Sequence, residues 1–476
     1  MLLHPEGRVL STLEQDGSRR WLYPRLAKGR FWLRRRIVAY ILIAIFMLIP
    51  YLRISGKPAM LLDIVHRRFT LFGLTFLPTD TVLLALLAVS TILLIFFVTA
   101  LFGRVWCGWA CPQTVYMEFL FRPIERLFTG RTGKGGTPRE EIASWRIVAM
   151  YATYVLASFY LAHTFLSYFV GVDQLRHWVT ASPADHPAAF VLILATTGAM
   201  LFNFAFFREQ TCIIACPYGR FQSVLMDRWS LLVSYDRTRG EPRGPIHKRT
   251  SLPVVNHGDC VDCGLCEAVC PTGIDIRNGL QIECVGCAQC IDVCDAVMTK
   301  LGRPVGLIRY GSQSGMAGEK RRILRPRIII YPTIMALLLG LLVFLLANRP
   351  PADVTVLRGL GLPFVMTDAG EVENVMRIKI TNRTDEPQQL QISVVDRSEV
   401  RAISSDDSIR LAPGQSCVEP VRFIAPAAQF ELGTLNLKIR VSGPGVKIDR
   451  PVRLVGPVVM PVKEDESHGG GEHERH

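Results

Sequence analysis

The chain reads as a polytopic α-helical membrane protein of about five spans, with a small cysteine-rich α+β domain inserted before the last span and a β-sandwich after it. Three observations carry that reading: apolar stretches long enough to cross a bilayer, eight cysteines crowded between residues 260 and 294, and a switch to alternating apolar and polar residues beyond residue 350. With 476 residues, 49% of them apolar, and a positive mean hydropathy, the composition is too oily for a soluble protein of this size.

A span needs about 20 apolar residues to cross the hydrocarbon. Five stretches qualify: Ile37–Leu52, which is the shortest, then Thr81–Gly103, Ile147–Val172, Ala188–Phe207 and Ile328–Ala347. The last four contain no Asp, Glu, Lys or Arg. Lysine and arginine set the orientation. Residues 1–36 carry nine of them, 103–146 seven and 208–327 seventeen, against one in 173–187 and four in 53–80. An N-terminus inside puts all three rich segments on the cytoplasmic side, and five spans then place the C-terminal domain outside. The 36 mostly polar leading residues read as the approach to a signal anchor. The net charge of +13 follows from this topology and from contact with anionic membrane lipid, and requires no nucleic acid. The resulting plan is a cytoplasmic segment (1–36), four membrane helices in two tandem hairpins (37–207), and a cytoplasmic segment (208–327) whose cysteine domain lies at about 250–300. A fifth span (328–347), an outer β domain (351–461) and a disordered tail (462–476) complete it.

Twelve of the thirteen cysteines fall in segments assigned to the reducing side, which favours metal or redox chemistry over disulfides. Eight of them form C-x2-C-x2-C-x3-C twice, at Cys260, Cys263, Cys266, Cys270 and again at Cys284, Cys287, Cys290, Cys294. This is the bacterial two-cluster ferredoxin spacing, in which three thiolates of one run share a cubane with the last cysteine of the other. Cys260, Cys263, Cys266 and Cys294 are therefore expected to hold one 4Fe–4S cluster, and Cys284, Cys287, Cys290 and Cys270 the second. Zinc also takes four cysteines, but its sites usually separate the pairs by longer gaps. Pro271 follows the first run, whereas Asp295 follows the second.

The other four cysteines form a repeat. FGRVWCGWACPQTVYMEFL (102–120) aligns with FREQTCIIACPYGRFQSVL (207–225) at an offset of 105, matching Cys107 with Cys212, Cys111 with Cys216 and Pro112 with Pro217. Each copy closes a hairpin, so the first four spans read as a parallel repeat, an arrangement that tends to place its site at the repeat interface. Cysteines at i and i+4 share a face if the segment is helical, and the proline disfavours α geometry at the second cysteine. Four convergent thiolates suit a third iron–sulfur cluster, a soft ion such as Cu(I), or a redox dithiol. The competing reading is four small buried residues at helix ends. Trp106 and Trp109 suit interfacial anchoring at this depth.

After the last span, MRIKITN, QLQISVV, VEPVRFIAP and TLNLKIRVSG alternate apolar and polar residues between turn signals, which indicates an immunoglobulin-like β-sandwich. It lacks the paired cysteines of antibody domains; Cys417 reads as a small apolar residue. Among lesser candidates, His163 lies within a span, Asp63, His66, Arg67 and Arg68 lie in an outer loop, and His468, His473 and His476 lie in a solvated tail.

The order of five spans, two CxxxCP motifs, a two-cluster ferredoxin segment and an outer β domain is similar, over essentially the whole chain, to the cytochrome c oxidase accessory proteins of the CcoG/FixG type. The resemblance implies a multi-pass protein of the bacterial cytoplasmic membrane that acts as a cupric reductase. It implies copper as substrate, two 4Fe–4S clusters as cofactors, and Cys107, Cys111, Cys212 and Cys216 as the catalytic thiols. It also implies partners among copper-handling and cbb3-type oxidase assembly proteins and a cytoplasmic electron donor, and leaves a homo-oligomer open. Softness supports the copper reading, because Cu(I) prefers thiolate whereas Cu(II) favours nitrogen and oxygen. No GxGxxG stands between a strand and a helix, which speaks against a dinucleotide site. Two other readings stand beside the reductase: a polyferredoxin-type relay between quinol or a cytoplasmic donor and a partner protein, and a non-enzymatic assembly scaffold working through its β domain.

Overall fold

The computed structural model describes residues 11–458, apart from 14–15, 131–141, 227–228, 246–257, 317–325, 360 and 385. The tail expected at 462–476, with its three histidines, lies outside these. The chain divides into two compact units, Met1–Val343 and Phe344–His476.

In the first unit the long helices are α1 (Arg30–Leu48), α2 (Thr81–Phe102), α3 (Ser144–Val170) and α4 (Pro187–Leu201), the last continued by a π-helical stretch, Phe202–Phe207. Helix α5 (Gln289–Lys300) belongs to the cysteine-rich domain, and α6 (Pro326–Ala347) follows it. By length and composition, four of the described helices are able to cross a membrane: α2, α3, α4 with its extension, and α6. The stretch expected as a first span differs. Ile37–Leu52 is the apolar part of a helix that starts at Arg30 and ends at Leu48, before a 3-10 turn containing Pro50. Arg30, Arg34, Arg35 and Arg36 occupy its first two turns, so the apolar part alone is short for a full crossing.

Residues 53–80, expected as a loop, contain an antiparallel sheet of β1 (Met60–Asp63), β2 (Arg68–Leu71) and β3 (Leu74–Phe76). His66 Nδ1 lies 2.7 Å from Asp63 Oδ2 at its tip, exposed. A core of Tyr116, Phe121, Met150, Tyr154, Leu161 and Phe204 joins the two repeat halves. In it Phe121 stacks on Phe204 at 4.6 Å, and Tyr154 donates its hydroxyl to the Phe121 carbonyl. The cysteine-rich domain is α+β: β4 (Leu232–Tyr235) pairs antiparallel with β5 (Ile308–Gly311), and α5 packs beneath β5.

The second unit is a two-sheet sandwich. Its strands are β6 (Ala352–Arg358), β7 (Val365–Met366), β8 (Glu371–Asn382), β9 (Gln388–Val394), β10 (Arg401–Ser404), β11 (Ile409–Leu411), β12 (Ser416–Pro426), β13 (Thr434–Gly443) and β14 (Val446–Val455). One sheet runs β10-β12-β8-β6 with β7 beside β8, and the other runs β11-β9-β13-β14. Alternation places Ile378 and Ile380 of β8, Val421 and Phe423 of β12, and Leu437, Ile439 and Val441 of β13 in one core. Cys417, opposite Ile380, is a partly buried free thiol packed against that core.

Candidate functional site

The two cysteine runs fold alike. Asp262 and Gly286, 24 positions apart, both have positive φ (48° and 69°), and so do Gly264 and Ala288 (66° and 61°). Alternating right- and left-handed residues turn successive N–H groups toward one concavity, which suits an anion. Each loop runs into a helix, Leu265–Ala268 or α5, that carries the third cysteine of its run.

Two cavities lie against these loops. One is lined by Cys260, Cys263, Cys266 and Cys294, with Tyr235 and Arg277. The other is lined by Cys270, Cys284, Cys287 and Cys290, with Cys266 on its wall and otherwise mainly apolar side chains. The last cysteine of each run thus lies at the other run's cavity. Among the described residues no three Cys, His, Asp or Glu side chains converge tightly enough to hold one metal ion. A cubane carries its thiolates on spread corners, so thiols around a cavity and amides turned inward suit a cluster.

The CxxxCP segments also repeat in three dimensions. Span α2 is broken at Gly103 (φ 57°, ψ −126°), and the extension of α4 at Arg208 (φ 53°, ψ −124°). The amide of Cys111 then donates to Trp106 O at 2.9 Å, and that of Cys216 to Thr211 O at 2.8 Å. Both second cysteines are extended, and a new helix begins at Pro112 or Pro217. The proline thus breaks the helix at the second cysteine as expected, and the two cysteines of a pair do not share a helical face. Only Cys107 and Cys212 lie in helical turns; Cys111 and Cys216 are the residues that precede the next helix, because proline excludes α geometry there.

The four thiols nevertheless lie near one another. Cys107 lies within electrostatic reach of Cys111 and Cys216, and Cys212 within reach of all three others. Cys107 Sγ donates to Gln222 Oε1 at 3.2 Å, and the amides of Gln113 and Thr114 face the Cys111 sulfur. Burial pushes the Cys107 and Cys212 thiols up to about 12 and also raises Cys111.

The first CxxxC loop packs against the loop that carries Cys284 and Cys287. A Cβ added at Gly108 would meet Val285 O at 2.7 Å and Cys287 N at 2.9 Å, so the two loops are in backbone contact. Trp109 Nε1 donates to Tyr310 OH at 3.1 Å, and that hydroxyl donates to Gly286 O at 2.9 Å. Trp109 is thus turned into the junction instead of anchoring at the interface, while Trp106 is exposed. Arg35, fully buried, donates from Nε to Gly108 O at 2.8 Å. Arg104 donates to the carbonyls of Ile282 and Gly219, and its charge reaches Cys107, Cys284, Cys216 and Cys212.

A second polar cluster adjoins Cys212. Arg122 pairs with Glu118 and, at 3.4 Å, with Glu209; Arg208 pairs with Glu125 at 2.7 Å. Arg122 also donates to Pro271 O at 3.1 Å, beside Cys270. None of these charged residues was singled out from the sequence. The one signal for them was an arginine and a glutamate immediately after a charge-free span. His163 bonds within its own helix, Nδ1 to Phe159 O at 2.8 Å.

Comparison with known proteins fits this geometry. A profile described as "4Fe-4S dicluster domain" matches residues 207–313, and one described as "IG-like fold at C-terminal of FixG" matches 342–457. Nitrogen fixation protein FixG of Rhizobium meliloti is 33% identical over 421 residues, covering 79% of each chain. The chain belongs to the FixG family. Protein RdxA of Cereibacter sphaeroides is 32% identical over 91% of this chain and 96% of its own. Weaker similarity reaches the ferredoxin-type protein NapH of Haemophilus influenzae, 24% identical over 59% of this chain and 91% of its own. A further profile, "4Fe-4S binding domain", matches residues 84–131, where Cys107 and Cys111 are the only cysteines. This FixG-family chain is accordingly a ferredoxin-type iron–sulfur electron-transfer protein with membrane-crossing helices.

Proposed function

We propose that this protein reduces Cu(II) to Cu(I) in the bacterial cytoplasmic membrane and supplies the product for assembly of cbb3-type cytochrome c oxidase. In this reading Cys260, Cys263, Cys266 and Cys294 hold one 4Fe–4S cluster, and Cys270, Cys284, Cys287 and Cys290 the other. When bound, these clusters supply single electrons at low potential. Cys107, Cys111, Cys212 and Cys216 take the copper: one electron added to Cu(II) gives Cu(I), the state that soft thiolates hold best. The observation that carries the reading is the backbone contact of Gly108, inside the first CxxxC, with Val285 and Cys287 of the second cluster loop. Copper itself comes from the family resemblance. The N-terminus and cysteine-rich domain are assigned to the cytoplasm and the sandwich to the periplasm, which requires α1 to complete a crossing with the residues that follow it. A cytoplasmic donor and copper-handling assembly proteins are the partners of this reading.

The 4Fe–4S profile over residues 84–131 favours a second reading. Two cysteines are too few for a cubane, but Cys212 and Cys216 make up four, and a third cluster there would make the protein a relay to a partner. Anaerobic purification with iron, sulfide and copper analysis, followed by a Cu(I)-trapping assay on the reduced protein, separates the two. Iron for two clusters with Cu(I) formation supports the reductase; iron for three without it supports the relay.

A further inference from the structure

Five arginines are buried among the described residues. Three meet carboxylates: Arg122 with Glu118 and Glu209, Arg208 with Glu125, and Arg277 with Asp275 and Asp262. Arg35 and Arg104 form no ion pair with any described carboxylate. Arg35 donates only to neutral oxygens, from Nε to Gly108 O and from Nη1 to the side-chain oxygen of Gln289 at 3.0 Å, its guanidinium lies 5.5 Å from the centre of the Phe119 ring, and its Nη2 is buried without a partner; Arg104 gives two bonds to carbonyls, and its Nε is likewise unpartnered. An unpaired buried cation is costly and persists where an opposite charge is supplied nearby.

Both arginines face the same place. Cys287 is the first electrostatic neighbour of Arg35, and Cys284 is among those of Arg104. These two cysteines belong to the second cavity, whose lining contains no charged side chain. Glu283 is adjacent in sequence, but its carboxylate accepts from the Ser11 amide. Asp292, whose oxygens accept from the amides of Phe31 and Trp32 at 3.0 and 2.8 Å, forms no ion pair with Arg35 and acts on it only at longer range, behind Cys287. The first cavity differs. Its one charged lining residue, Arg277, is already neutralised by two carboxylates, and Asp295 lies beside Cys294.

The geometry points to Arg35 and Arg104 as positioning residues that compensate the charge of the second cluster and hold it at a higher reduction potential than the first, so that electrons run toward the thiol group. A four-thiolate cluster is anionic and gains one more negative charge on reduction. A fixed cation in a dry site therefore stabilises its reduced form more than its oxidised form. The transfer balances without a proton: the first cluster loses one electron, the second gains it, and a low-potential one-electron donor restores the first. Arg104, shared between Cys284 and three CxxxC thiols, extends the favourable field toward the acceptor. This inference rests on the assignment of the eight cysteines to two clusters and not on copper.

The test is a potentiometric titration of the anaerobically purified full-length protein, followed by EPR with iron content measured in parallel. Arg35→Gln and Arg104→Gln should each lower one of two cluster transitions by at least tenfold in reduced-to-oxidised ratio, about 59 mV for one electron. The other transition should not move, and Arg35→Lys and Arg104→Lys should retain the wild-type value. Cys263→Ser should remove the unmoved transition and leave the shifted one. Equal shifts of both transitions, no shift with iron intact, or a shift in the transition that Cys263→Ser removes would overturn the inference. If a Gln variant loses iron, the Lys variant decides: retained clusters support charge compensation, and iron loss there too would make the role one of packing. Wild-type protein with iron for fewer than two clusters would instead remove the cluster assignment itself.

Discussion

Arg35 Nε and the carbonyl of Gly108 are joined by a 2.8 Å hydrogen bond that links the start of helix α1 to the middle of the first CxxxC loop. Arg35 precedes the apolar part of α1, and Gly108 presses on the second cluster loop. One guanidinium therefore fixes the N-terminal helix, the thiol loop and the cluster domain relative to one another.

Gly108→Ala should separate the two loops. The new methyl would collide with backbone atoms at 2.7 and 2.9 Å, which cannot swing aside as a flexible side chain would. Overpacking of this kind costs about 1–3 kcal/mol. The expected outcome is a fall of tenfold or more in electron delivery to the thiol site, followed by stopped-flow reoxidation of the reduced clusters. Gly198→Ala, where nothing lies within 4 Å, should match wild type in the same assay.

Cys107→Ser and Cys212→Ser should each abolish copper reduction while leaving the iron and sulfide of the ferredoxin domain unchanged. Serine keeps the size but removes the soft donor. Full turnover in both variants, measured by Cu(I) trapping, would take the thiol pairs out of the mechanism.

Copper affinity should rise with pH. Burial holds the Cys107 and Cys212 thiols protonated at neutral pH, with values pushed up to about 12, so each thiol that binds Cu(I) must release its proton. Protons compete with the ion throughout the range below that value. Each proton released makes the affinity about tenfold tighter per pH unit, or about a hundredfold for two thiols. Competition titrations with a chromophoric Cu(I) chelator between pH 6 and 8 give the slope directly, and a flat profile would rule out thiol ligation.

Glu125→Gln should destabilise the protein markedly. Glu125 accepts two hydrogen bonds from Arg208, at 3.1 and 2.7 Å, and both residues are buried. Removing one charge from a buried pair costs up to about 3–5 kcal/mol, and the loss falls toward the lower end here because Glu209 still lies 3.9 Å from Arg208 Nε. Arg208 also adopts a backbone conformation (φ 53°) for which the first repeat uses Gly103, so its ion pair offsets local strain. Thermal unfolding in detergent should show the loss, and Arg208→Gly should recover only the strain component.

Much of the architecture was legible because its signals are local. Charge-free stretches marked α2, α3, α4 and α6, since a lipid-facing helix tolerates few charges. Alternation in 434–443 marked a strand with one face in a core. Where the local signal was mixed, the reading slipped. Four arginines in the first turns of α1 moved its start to Arg30, and Trp109 passed for an interfacial anchor although its indole bonds Tyr310. The break at Cys111, by contrast, was legible, because the following proline disfavours α geometry there whatever the i, i+4 spacing.

The amino-acid sequence by itself determined which chemistry is available: eight cysteines spaced for two clusters, two thiol pairs repeated 105 positions apart, and membrane-crossing helices to carry them. Spacing is enough for that, because ligands within one run are neighbours along the chain. Only the tertiary structure decided that the repeated thiols lie near one another, that the first CxxxC loop touches the second cluster loop and not the first, and that Arg35 and Arg104 are buried beside that loop with no carboxylate in an ion pair. Those relations join segments up to about 250 residues apart. They depend on how helices pack and on which charges remain unpaired once water is excluded, and no local pattern encodes either.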